Sequence, residues 1–384
     1  MFVAFPIMKA LERRLASEFG SSRDCLPFRV GGDWLQRDFP QITDPDDLEA
    51  LARVSEWISV HSDDFYRPSP GPIEFTTQGH TILFQSRGIT RHDENRTVRL
   101  SYAPLAPACP MVLVLPAWNV SRKTFRKLLP ITRLEGFGGA SMSMPYHDER
   151  MPIGWTHAQP LACADLGLTL RANQQAVLDA MDAVSILQQL GHRHVVIVGF
   201  SIGSGVSVLL DAHDPRPAGV ISVLCGSNFA ECAWNGISTT YLRAELEKHL
   251  DLPMLKRCWR ALEFGCYVPR LPLHRRLTRS LLVGWNDHTF PRSNARKFKA
   301  LYDAYGVDHF WTTLGCGHYT IAYPPHSYRF ALWLRHRLQE VGSALRGEPL
   351  PIARVKEHER ASLADAAEMS GDDSAENPDA EDPR

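Results

Sequence analysis

A serine, an aspartate and a histidine occur in that order along this chain, each in a short turn read as a strand end. Gly199-Phe200-Ser201-Ile202-Gly203 follows Val195-Val196-Ile197-Val198 and precedes Ser204-Gly205-Val206-Ser207-Val208-Leu209-Leu210. The pattern predicts a strand, a sharp turn and a helix, with G-x-S-x-G at the turn. A serine held at a strained backbone angle needs small neighbours, and a glycine on either side supplies them. Its Oγ then stands clear of the sheet at the positive end of the helix. A serine hydroxyl becomes a nucleophile only when a base takes its proton and an acid orients that base. Ser280-Leu281-Leu282-Val283-Gly284-Trp285 reads as a second buried strand, and Asn286-Asp287-His288-Thr289-Phe290-Pro291 as the loop at its end. Leu314-Gly315-Cys316-Gly317-His318-Tyr319-Thr320 places His318 in a glycine-flanked loop before a helix. Ser201, His318 and Asp287 are therefore the candidate nucleophile, base and acid. The chemistry they would perform is attack on an acyl group.

Each residue also has a plainer reading. Asp287 can cap the segment that follows it, and His288 beside it can be the base. His288 is disfavoured because it shares a loop with the acid and lacks the glycine-flanked setting of His318. Cys316 lies two residues before His318, but a cysteine nucleophile there would leave Ser201 without a role.

With these three segments in view, the chain resembles the α/β-hydrolase superfamily. The likeness rests on G-x-S-x-G around Ser201, on Gly284-x-x-Asp287-x-x-x-Pro291 and on Gly317-His318, and it spans residues 73 to 342. It implies an α/β-hydrolase fold: a mostly parallel sheet with helices on both faces and a cap inserted over the site. It implies an oxyanion hole built from two backbone N–H groups. One is that of Ile202, after the nucleophile. The other belongs to the loop after Met111-Val112-Leu113-Val114-Leu115, where Pro116-Ala117-Trp118-Asn119 stands in place of the family's frequent His-Gly. Trp118 or Asn119 is the expected donor; the plainer reading makes Trp118 a pocket wall. A fourth segment, Ala140-Ser141-Met142-Ser143-Met144, reads as a strand leading into Pro145-Tyr146-His147-Asp148-Glu149-Arg150. Loops at the carboxyl ends of strands form the crevice of an open α/β sheet. Tyr146, His147 and Arg150 are therefore candidate substrate residues. The alternative is an Asp148–Arg150 or Glu149–Arg150 contact that fixes the loop. This Pro-Tyr-His-x-x-Arg run resembles a small branch of predicted α/β hydrolases and, distantly, a mitochondrial lipid-deacylase branch.

The elements that must position these groups follow from periodicity. The chain has 384 residues and 44% hydrophobic content, enough for a large core. Residues 1–66 read as a helical extension, with Leu11, Leu15 and Phe19 at helical spacing and likewise Leu48, Leu51, Val54 and Ile58. Asp44 or Asp46 is the expected cap of the second helix. Ile73 to Ile89 and Thr97 to Leu105 alternate as two antiparallel strands. A helix over Ala172 to Leu190 precedes the Ser201 turn. Strand–helix–strand repetition then predicts a parallel sheet in the 73–345 domain. Residues 227–279 break the alternation and are rich in aromatics, including Trp234, Trp259 and Phe264. They are the expected cap, with Trp234 in the substrate pocket; the alternative is packing on a flank. Residues 346–384 read as a disordered acidic tail.

Composition sets the remaining bounds. The net charge of −1 gives no global field to recruit nucleic acid. Arg275-Arg276 and Lys297-Phe298-Lys299 read as solvated faces. Eight cysteines with no C-x-x-C pair argue against a zinc site and for a reducing, cytoplasmic compartment. The opening Met1-Phe2-Val3-Ala4-Phe5-Pro6-Ile7-Met8 lacks the features of a signal peptide. No apolar run reaches the ~18 residues that span a bilayer. The expected partner is a small-molecule or lipid ester, with no metal and no organic cofactor. Esters, thioesters and lipids would suit the same three groups, by hydrolysis or acyl transfer. A non-catalytic binding protein is the remaining class.

Overall fold

A computed structural model describes residues 4–21 and 25–348. In chain order, α1 (Ala4–Ser21), α2 (Leu48–Val60) and α3 (Ser62–Phe65) precede the strands β1 (Phe75–Gln78), β2 (Thr81–Gln85), β3 (Thr97–Ala103) and β4 (Met111–Leu115). Then come α4 (Leu129–Leu134), β5 (Gly138–Met142), α5 (Leu166–Gln189), β6 (Val195–Phe200), α6 (Ile202–His213) and β7 (Gly219–Val223). The chain continues through α7 (Phe229–Asn235), α8 (Thr240–Leu246), α9 (Leu252–Cys258), β8 (Thr278–Gly284), α10 (Arg292–Ala304), β9 (Phe310–Leu314) and α11 (His326–Leu345).

The strands form one nine-stranded sheet in the order β1-β2-β3-β5-β4-β6-β7-β8-β9. β1, β2, β3 and β5 pair antiparallel; from β5 through β9 every pair is parallel. β4, β6 and β7 are apolar or small at nearly every position, as strands covered on both faces must be. Side chains alternate between the faces. Met111, Leu113 and Leu115 enter a core with α5 and α6, while Val112 and Val114 enter another with Phe330, Leu334, Leu338 and Val341 of α11.

The structure moves several expected boundaries. The segment Ile73 to Ile89 is a hairpin, β1 and β2, turning at Gly79, where φ is +58°. Asp47, not Asp44 or Asp46, caps α2, its side chain accepting from Ala50 N at 2.9 Å. The helix before the Ser201 turn starts at Leu166, capped by Asp165, which accepts from Leu168 N at 3.0 Å. The reason it looked shorter lies in its surroundings. α5 is buried on almost every side, so its polar residues face protein rather than water. Arg171 donates to Trp34 O and Asp38, and Gln174 to Phe65 O. The amino-terminal segment therefore covers α5, and its Val30, Leu35, Leu51, Ile58 and Tyr66 join the same core as the sheet. Arg276 is no solvated cation: it shares Asp211 of α6 with Arg279, each at 2.8 Å. The expected acidic tail from 349 onward lies outside the described residues.

Candidate active site

Ser201 stands between β6 and α6 with φ +53° and ψ −118°, a conformation that costs a non-glycine residue on the order of 1–3 kcal/mol. The turn is as tight as its glycines imply. A Cβ on Gly199 would lie 2.2 Å from Gly203 O, and one on Gly203 would lie 2.3 Å from Leu115 O. The turn is tied down by Ser201 N, which donates to Val223 O at 2.9 Å, and by Ser204 Oγ, which donates to Ser201 O at 2.5 Å. Ser201 thus heads a twelve-residue helix, with its hydroxyl at the positive end.

β9 ends at Leu314, and the loop after it carries His318. His318 Nε2 is 2.8 Å from Ser201 Oγ, and its Nδ1 is 2.8 Å from Asp287 Oδ2. The loop after β8 fixes Asp287 in turn: its Oδ1 accepts from Thr289 N and Phe290 N, both at 2.8 Å. With Nδ1–H donating to Asp287, Nε2 is left as the acceptor of the Ser201 proton. Burial alone would push the His318 pKa down, but the carboxylates of Asp287 and Glu12 outweigh it and hold it above the ordinary imidazole value. The structure therefore brings Ser201, His318 and Asp287 into one line. It keeps His288 out: that ring hydrogen-bonds to neither Ser201 nor Asp287, and burial beside Arg13 and Lys9 pushes its pKa down.

At the expected oxyanion site the structure divides the candidates. Ile202 opens α6, so its N–H has no acceptor within the helix. Asn119, at φ +59°, gives its N–H to His147 Nε2 at 2.7 Å, and its Oδ1 accepts from Ala158 N at 2.7 Å. The Asn119 backbone donor is thus committed elsewhere. Its Nδ2 is buried with no partner among the described residues. Trp118 Nε1 donates to Ala158 O at 2.6 Å, so its indole braces the loop.

Of the substrate candidates, Arg150 is corrected outright. It is fully buried, pairs with Asp179 at 2.8 Å and donates to Ser143 O and Asn95 O. The alternative contacts with Asp148 and Glu149 are absent as well; those two carboxylates pair with Arg122. Tyr146 is also inside the core, stacked on Trp155 with ring centroids 5.9 Å apart, and so does not line a crevice. His147 stands behind the loop, its Nδ1–H donating to Pro145 O and its Nε2 holding Asn119. All three share one misreading: a loop at a strand end can be built into the core. Trp234 is half-buried in α7, with the Arg243 guanidinium 5.6 Å from its ring. Trp259 is packed against Phe229 in the interior.

One neighbour of the site had no signal beyond ordinary helical spacing. Glu12 of α1 is fully buried and accepts from the backbone N–H groups of His318, Tyr319 and Thr320. Among the described residues no group of three His, Cys, Asp or Glu side chains is placed to hold a metal ion. No described helix is long and apolar enough to cross a membrane.

No model of a known family matches the sequence, and no curated protein matches it. Solved structures do match. Acetyl xylan esterase 1 from Thermoanaerobacterium sp. JW/SL YS485 superposes with a TM-score of 0.52 at 14% identity, over 74% of this chain and 93% of that one. The acetyl xylan esterase from Paenibacillus sp. R4 gives 0.51 at 13% identity, over 77% and 95%. The chain has the α/β-hydrolase fold. Within that fold the turn at Ser201 stands at the end of β6, and β4 and β6 are the central strands of the sheet.

Proposed function

We propose that this protein is a serine hydrolase that cleaves a carboxylic ester through an acyl-enzyme. The observation that carries the reading is the hydrogen-bonded line from Ser201 Oγ through His318 to Asp287, anchored on a strained turn at a helix N-terminus. In this mechanism Ser201 Oγ attacks the ester carbonyl carbon while its proton passes to His318 Nε2. The carbonyl π bond opens and leaves an oxyanion, which accepts from Ile202 N–H and from the Trp118 loop. The oxyanion collapses, the bond to the alcohol oxygen breaks, and His318 returns its proton to that oxygen. Water repeats the sequence on the acyl-serine and releases the acid. Asp287 orients the imidazole and stabilises its charged form. Both structural neighbours named above are acetyl xylan esterases, which supports an ester as the substrate class. The eight free cysteines support a reducing, cytoplasmic setting.

A fluorophosphonate probe tests the reading. The wild-type protein should be labelled, and it should hydrolyse an activated ester such as nitrophenyl acetate. Ser201→Ala should lose the label and on the order of 10⁴–10⁶ in turnover while keeping its fold. Wild-type protein that takes no label, or Ser201→Ala protein that keeps its activity, would rule the nucleophile out. Products formed with an added alcohol or thiol then separate hydrolysis from acyl transfer.

A further inference from the structure

We propose that Glu12, carried by α1, is a positioning residue for His318. Its carboxylate grips the backbone of residues 318–320 and so sets the imidazole against Ser201. The proposal rests on the reading of Ser201 and His318 given above, and it makes the amino-terminal helix part of the site.

The geometry is specific. A buried carboxylate must find donors, and Glu12 finds all of them in one loop. Oε1 accepts from His318 N at 2.7 Å and Oε2 from Thr320 N at 2.9 Å; Tyr319 N lies between them, 3.0 Å from Oε2. Three successive N–H groups pointing at one anion form a small nest. Among the described residues the groups that act on Glu12 are Thr320, Asp287 and His318 and include no lysine or arginine, so the loop backbone is its counterpart. The loop is shaped for it: a Cβ on Gly317 would fall 2.1 Å from Glu12 Cδ. That glycine admits the helix. His318 is thereby held at both ends, its backbone by Glu12 and its ring by Asp287 and Ser201.

α1 reaches the opposite loop too. Phe19 lies seven residues after Glu12, on the same face of the helix. Its ring centroid is 6.0 Å from that of Trp118 and 5.4 Å from that of Tyr319. One helix therefore bridges the histidine loop and the loop expected to hold the oxyanion.

The charged groups around His318 are few. Asp287 faces it from the loop after β8 and Glu12 faces it from α1. Near Asp287 are the thiols of Cys225 and Cys316, both pushed up to about 12 by burial and so uncharged. Lys9 and Arg13 of α1 act on the neighbouring His288.

A structural anchor and a positioning residue predict different data. Glu12→Ala should lower kcat for nitrophenyl acetate on the order of 10²-fold with little change in KM, since the imidazole is misplaced rather than the ester released. Glu12→Gln keeps the shape and removes the charge, so the acid limb of its kcat/KM profile should move to lower pH. The same shift should appear in the His318 imidazole titration followed by NMR in a Ser201→Ala background, with the resonance assigned by its loss in His318→Ala. That titration does not depend on ester hydrolysis. It reads the Glu12 effect even if the wild-type protein takes no label and the parent reading falls. If Glu12→Ala fails to fold, Glu12→Gln decides. Glu12→Gln protein with a lower melting temperature but an unchanged kcat, pH profile and His318 titration would make Glu12 an anchor and overturn the proposal.

Discussion

His318 can act as a base only when Nε2 is unprotonated, and its surroundings set the pH at which that holds. Burial favours the neutral ring, but Asp287 and Glu12 favour the cation more, so the pKa lies above the ordinary value of about 6.5. The sign follows directly. Activity should rise with pH through a single limb whose midpoint is above 6.5, and well below that midpoint it should fall about tenfold per pH unit. Asp287→Asn removes the nearer negative charge and one partner of Nδ1, so the limb should move down while turnover falls on the order of 10⁴. His318→Ala should cost more, because the base moves the proton and the acid only orients it. A pH–rate series on the three proteins checks both statements. His288→Ala protein that loses activity where His318→Ala protein keeps it would reverse the assignment. At this scale the three side chains that the structure brings together were legible because their proposed chemistry forces a local signature. A strained serine needs glycines beside it, and an acid and base at strand ends need turn residues around them. Glu12 left no such trace. Its partners are backbone amides 306 to 308 positions away, and a carboxylate on a helix with polar neighbours looks solvated until the loop is folded against it.

Among the elements, the parallel strands were legible because burial on two faces leaves unbroken apolar runs, as in Met111–Leu115 and Val195–Val198. β9 was read only as the strand end before His318, with no bounds, because Phe310-Trp311-Thr312-Thr313-Leu314 closes the edge of the sheet and mixes threonine with aromatics. The insertion between β7 and β8 gives a mixed answer. Its first part, with Ile237–Thr239 and α8, packs against α1. Its later part, from α9 through Leu273, packs against α2 and α6, where Phe264 fills the space beside Gly205. The two tryptophans fall in different settings and should behave differently. Trp259 is buried, with Nε1 donating to Leu166 O, so Trp259→Ala should destabilise by about 3–5 kcal/mol and leave the acyl preference alone. Trp234 is half-buried on α7, which begins just after the carboxyl end of β7. Trp234→Ala should shift preference toward longer acyl chains, since one methylene in an apolar pocket discriminates by about 1–3 kcal/mol. Melting curves and rates across a series of nitrophenyl esters separate the two effects. A flat chain-length profile for Trp234→Ala would mean that α7 packs away from the ester.

Over the whole molecule, the question is whether residues 1–66 are an appendage or part of the fold. Sequence periodicity marks them as helical and sets them apart from the strands, because it reads each segment against its own neighbours. Packing joins them to the rest. Val30, Trp34, Leu35, Leu51, Ile58, Phe65 and Tyr66 share one continuous core with Leu113, Ile197 and the length of α5. Polar ties run the same way: Arg171 to Asp38, Gln174 to Phe65 O, His213 Nε2 to Ser62 Oγ at 2.8 Å and Tyr66 Oη to Ala261 O at 3.0 Å. Removing the segment would uncover the apolar and polar face of α5 together. Arg171 would lose Asp38 and Trp34 O and turn to water, while the apolar side chains packed between the segment and α5 would be exposed at about 1.5–3 kcal/mol each. The loss of several such side chains together matches the ~5–15 kcal/mol stability of an ordinary domain. The expected outcome is that a chain beginning at residue 67 does not fold. The full chain should unfold in one calorimetric transition, with equal calorimetric and van't Hoff enthalpies. Two resolved transitions, or a truncated protein that keeps a sharp melt, would show that the amino-terminal segment is an independent unit resting on the hydrolase fold.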